Sequence, residues 1–175
     1  RALQSIADVF ARHGEIECLF LGIAPIGCFA ADASLNQGTA LAKVIANAQT
    51  HWEGELIFFG HALFSVLLRT TPIAMQRPVA RLATWGRVGT FSPGIMCPEP
   101  GWSARAALLC RTALLATPVY RWRVDGQNHA SRPAMRSVAI RSILEDRIAL
   151  LQTLTRGGVA NRETLRTLSG SIAIL

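Results

Sequence analysis

An α+β fold is predicted: a small, mostly antiparallel sheet with covering helices and a carboxy-terminal helical pair. Three observations carry it. Segments at both ends show helical apolar periodicity, around 2–13 and 133–156. Residues 16–24 and 119–124 read as strands, the first buried and the second alternating. Between 70 and 101 the chain holds Pro72, Pro78, Gly86, Gly89, Pro93, Gly94, Pro98, Pro100 and Gly101, which favours short strands and turns over helices. The 175 residues are 50% hydrophobic and 17% charged, enough apolar material for one real core and too little charge for wholesale disorder. The expected division is a core of 1–130 with a helical hairpin at 131–175 packed on it.

The elements follow in order. Leu3, Ile6, Val9 and Phe10 form the stripe of a first helix, and Gly14 stops it. The pattern of 1–14, with Asp8 inside, is not that of a secretory signal. Ile16, Cys18, Phe20 and Ile23 belong to a buried strand that ends at Pro25 and Gly27. Asp32, Ser34, Asn36 and Gly38 suggest a polar loop over 31–38, with Thr39 capping a helix to about residue 50. Residues 55–69 are almost continuously apolar and are expected to be β-rich, broken at Gly60. Short strands are expected near 79–84 and 88–92. Residues 103–116 fit either a helix or a core strand, ending at Pro118. Asp125-Gly126 is a turn signal. Ser131 caps the last long helix, with Pro133 just inside it and Gly157-Gly158 ending it. A short helix over 162–168 follows, with Asn161 as its cap.

Charge is polarised along the chain. The total is +7, and of 18 basic residues only Lys43 is not arginine. Residues 1–68 hold three basic groups against six acids, a net −3, while 69–175 hold fifteen arginines against five acids, a net +10. A basic half of this kind suits phosphates or an acidic protein surface, and arginine binds phosphate bidentately. Arginine in place of lysine is also what a GC-rich coding sequence produces. The most pointed cluster is Tyr120-Arg121-Trp122-Arg123. In a strand the two arginines point one way and the aromatics the other, the interleaving used by single-strand binding surfaces. The carboxy-terminal pair has helix-turn-helix connectivity, with Arg162 and Arg166 on one face of the short helix. The expected contact residues are Arg121, Trp122, Arg123, Arg136, Arg141, Arg162 and Arg166.

A rival reading is a small metal-binding enzyme. In an extended segment His51, Glu53, Glu55 and His61 share a face, and two imidazoles with two carboxylates suit a metal or a general base. His51-Trp52-Glu53 has the His-x-Glu spacing of zinc deaminases, but Cys97 is followed by Pro98-Glu99-Pro100 and not by the Cys-x-x-Cys half of that site. No serine lies in a G-x-S-x-G elbow, and no glycine-rich stretch forms a phosphate loop. No cofactor is expected. Cys18, Cys28, Cys97 and Cys110 lack zinc-knuckle spacing and read as reduced thiols, which favours an intracellular, reducing compartment. No apolar run reaches the ~20 residues of a membrane span.

A third reading rests on resemblance. Ala-Lys-Val-Ile-Ala at 42–46, His51-Trp52, the run 54–58 and Val66-Leu67-Leu68-Arg69 resemble the helix-then-strand entry into the jelly-roll coat proteins of picorna-like plant viruses. Pro100-Gly101-Trp102 and the strand at 119–124 fit that family's later strands. The resemblance implies a capsid-like structural subunit and assigns no site residues. Together the sequence points to a non-enzymatic, nucleic-acid-associated or assembly protein, with homo-oligomerisation compatible with its charge polarity.

Overall fold

Two strands at the centre of the sheet organise everything else. β1 (Cys18–Ile26) and β5 (Thr112–Arg123) run parallel, with Cys18 opposite Thr112 and Leu21 opposite Leu115. Their cores are fully buried because each residue pair faces a different apolar layer. Cys18, Phe20 and Leu114 join one cluster, while Leu19, Leu21, Ala113 and Leu115 join another. The computed structural model describes residues 2–125 and 133–156, and for 133–136, 151, 155 and 156 the backbone alone.

The sheet has five strands in the order β2-β3-β5-β1-β4. β2 (Thr50–Glu53) and β3 (Leu56–Phe59) form a hairpin, β3 pairs antiparallel with β5, and the short β4 (Val79–Ala80) pairs antiparallel with β1. The α+β class therefore holds, and three of the four pairings are antiparallel. The longest is parallel. A single mixed sheet is not the two-sheet antiparallel jelly roll that the coat-protein resemblance implies.

Helices cover both faces. α1 (Ala2–Arg12) lays Ile6 and Val9 on the smaller cluster with Phe10 packed against it, while Leu3 of the predicted stripe is 83% exposed. The larger cluster lies beneath α2 (Ala30–Asn47), α3 (Ala62–Leu67), α4 (Leu82–Val88), α5 (Glu99–Leu109) and α6 (Pro133–Arg156).

Four expectations are corrected. The polar loop over 31–38 is the first half of α2, which begins nine residues before Thr39. Its Ala30, Ala31 and Ala33 are strong helix formers, and Asp32, Ser34 and Asn36 are exposed along it. The β-rich stretch ends at Phe59. After Gly60 the chain turns into α3, which buries Leu63, Phe64 and Leu67. Where strands were expected at 79–84 and 88–92, only Val79–Ala80 is extended. α4 follows, ended by Gly89 in the left-handed region (φ +83°) with its amide bonded to the Trp85 carbonyl. Finally, 103–116 divides into a helix and a strand, and Pro118 lies inside β5. The proline sits opposite Gly22 where the β1–β5 register shifts, so its missing amide costs no regular ladder bond. The turn at Asp125-Gly126, the Ser131 cap, Gly157-Gly158 and the second carboxy-terminal helix lie at least partly outside the described residues.

The register shift depends on Gly22. A Cβ there would lie 2.5–2.8 Å from the carbonyl oxygens of Leu115, Ala116 and Thr117. Those are backbone atoms of the central strand and cannot rotate away. Gly22→Ala is therefore expected to lower the unfolding free energy by about 1–3 kcal/mol, the usual range for overpacking a core. Urea denaturation checks this; an unchanged midpoint would contradict the crowding.

Candidate functional site

Several of the arginines are taken up by contacts within the fold. Three of them bind the carboxy-terminal ends of helices. Arg81 donates from Nε to the Ile16 carbonyl (2.9 Å) and from Nη2 to Phe10 (2.9 Å), the last turn of α1, and lies 5.0 Å over the Phe10 ring. Arg105 donates to Val88 (3.3 Å) and Thr90 (2.8 Å) at the end of α4. Arg147 donates to Leu67 (3.4 Å) at the end of α3. A cation there satisfies orphan carbonyls and complements the helix dipole. Burial pulls Arg105 and Arg147 down from the usual guanidinium range, with the Asp146 carboxylate pulling back up. Both remain charged, because arginine starts so high.

Two further arginines are held by acids. Arg77 meets Glu99 at 3.3 Å, and Arg87 meets Glu17 at 2.6 Å while also reaching the Cys110 Sγ at 3.2 Å. Five of the fifteen arginines in the basic half are therefore structural.

Two more arginines, Arg121 and Arg123, stand at the outer end of β5. β3 pairs with it only as far as Leu115, so residues 120–123 lie beside 23–26 of β1 as a two-stranded extension of the sheet. Arg121 and Arg123 are exposed, and Trp122 between them is half-buried. Successive same-face residues lie about 6.6 Å apart along a strand, so the two guanidinium groups form a short cationic row. On the opposite face burial pushes the Tyr120 hydroxyl up, with Arg77 opposing. The predicted Arg-out, aromatic-in alternation is present.

Of the other predicted contacts, only Arg141 has a described side chain. Arg141 is exposed on α6, which packs on α5. The Arg136 side chain, Arg162 and Arg166 lie outside the described residues.

The four residues of the metal reading are not gathered on one face. His51 and Glu53 share a face of β2, but Gly54 (φ +57°) turns the chain back, leaving Glu55 in the turn and His61 beyond the end of β3. Phe58, not a ligand, lies opposite His51. Among the described residues no group of three or more His, Cys, Asp or Glu side chains is arranged to hold a metal ion. All four cysteines are free thiols. Burial pushes the Cys18 thiol far up, and Cys97 and Cys110 are also raised, burial being the main cause. None of these three is an activated nucleophile.

One polar site escaped the sequence reading. Asp146 is buried on the α5 side of α6, where it accepts a hydrogen bond from the Ser92 hydroxyl. Its other carboxylate oxygen is buried without a partner, and lies so close to Gly101 that any Cβ there would overlap it. Beside it, Thr90, Ser92, Arg105, Asp146 and Thr153 contribute to an open cleft of about 280 Å³. The available signal was its phase: Asp146 falls on the same helical stripe as Ala139 and Leu150.

No helix among the described residues is long and apolar enough to cross a membrane. Comparison with protein-family models, curated proteins and solved structures finds no match.

Glu17 generates a pH prediction. Burial alone would raise its carboxyl, but the Arg111 amide and the Arg87 guanidinium outweigh that and hold it below its ordinary 4.5. A depressed pKa stabilises the fold above the unfolded value, and that contribution is lost as pH falls through the folded value. Stability measured by urea denaturation is expected to drop below about pH 4.5 less steeply in Glu17→Gln than in the native chain. Parallel curves for the two proteins across that range would contradict the assignment.

Proposed function

We propose that the protein is a non-enzymatic, nucleic-acid-associated binding protein whose contact surface is the cationic row on the outer end of β5. The exposure of Arg121 and Arg123 on a strand extension that no other described strand flanks is the observation that carries this reading. A guanidinium pair at strand spacing suits consecutive phosphates of an extended single strand, and the half-buried Trp122 stiffens the strand beneath it. The partner class is single-stranded nucleic acid. A net charge of +7 adds a long-range attraction to any polyanion and speeds encounter. The four free thiols fit a reducing compartment.

Fluorescence anisotropy with a labelled single-stranded oligonucleotide tests the reading. Binding is expected at low salt, with log K falling linearly against log salt. Replacing both Arg121 and Arg123 with Ala removes two phosphate contacts and should reduce that slope by about 1.4. An absence of binding at low salt, or an unchanged slope in the double variant, overturns the proposal.

A further inference from the structure

α6 is apolar on two sides. One side, with Ala139, Ser142, Asp146, Leu150 and Leu154 buried, packs into the body of the protein. The other carries Ile140, Leu144 and Ile148, four residues apart and therefore in one stripe. Ile140 is 42% exposed and Ile148 38%, with Leu144 half-buried between them. An isolated exposed isoleucine is ordinary, but a regular stripe along a long helix marks a docking face.

Charge beside the stripe selects the occupant. Arg141 and Glu145 are both exposed, stand one turn apart on the same flank, and take part in none of the ion pairs of the described residues. Let a second α6 lie antiparallel across the stripe, on a two-fold axis through Leu144. Ile140 then meets the partner's Ile148, and Ile148 the partner's Ile140. Each flank faces the same flank of the other copy, and Arg141 comes within two residues, about 3 Å along the axis, of the partner's Glu145. The symmetry makes this pair twice. A parallel arrangement brings the Arg141 flank to the opposite flank and forms neither pair.

We infer that α6 is a homodimerisation helix, its outer stripe covered by the α6 of a second copy in an antiparallel, two-fold contact. Such a contact is self-complementary and closes at two copies. It uses none of the residues of the β5 surface.

Sedimentation equilibrium of the full chain, from low micromolar to about 100 micromolar, is the test, because a dimer follows mass action. A monomer–dimer equilibrium is expected. Ile140→Glu with Ile148→Glu should give a monomer with unchanged circular dichroism, since both positions are exposed. Arg141→Glu places like charges together twice and should weaken dimerisation about fivefold to tenfold. Combining it with Glu145→Arg should restore the native constant. The inference is overturned by a chain monomeric at every concentration, which is the result if residues beyond 156 or another protein cover the stripe. Dimerisation that survives the Ile variants, or no recovery in the charge reversal, also overturns it.

Discussion

The parallel pairing of β1 with β5 is the constraint on which the rest of the molecule depends. Both strands are buried on both faces over their first four residues, so their alternate side chains seed two separate cores. α1 closes the smaller one. The larger needs helices, and the long connection between the two strands supplies four of them. The same pairing positions the cationic row, because β1 is the strand that accompanies β5 past the end of β3.

Arginine has a second role that composition conceals. Guanidinium groups at 81, 105 and 147 end three helices by binding their last carbonyls. Two of those helices, α1 and α3, lie in the acidic first part of the chain, and Arg87 reaches Glu17 in the same part. The polarity from −3 to +10 is therefore partly consumed within one fold, where basic side chains close the ends of elements that precede them. A lysine would suit these places less well, since one ammonium cannot span two divergent carbonyls as the Arg81 fork does.

How much was legible in the sequence depended on where the relevant information lay. α1, β1, the outer part of β5 and α6 could be read because their periodicity is local. α2 was hidden because Asp32, Ser34 and Asn36, which look like a loop, are exposed residues of a long helix that buries little. α3 resembled a strand because Leu63, Phe64, Leu67 and Leu68 leave no polar face to show a period. At the candidate site the alternation of 120–123 was visible. The Ser92–Asp146 contact was not, because its partners are 54 residues apart. The arginine–carbonyl contacts of Arg81 and Arg147 span 65 and 80 residues, and a backbone acceptor has no sequence signature.

The separation of the two central strands also sets the order in which the fold can appear. β1 ends at Ile26 and its parallel partner begins at Thr112. On a growing chain the first strand waits, apolar on both sides, until some ninety further residues have been made. Closing so long a loop is entropically expensive before any contact rewards it, which makes this topology a slow folder for its size. The helices in between can form early from local contacts, but none can settle onto the sheet until its middle exists. The docking of α6, with Asp146 set against Gly101, needs α5 in place.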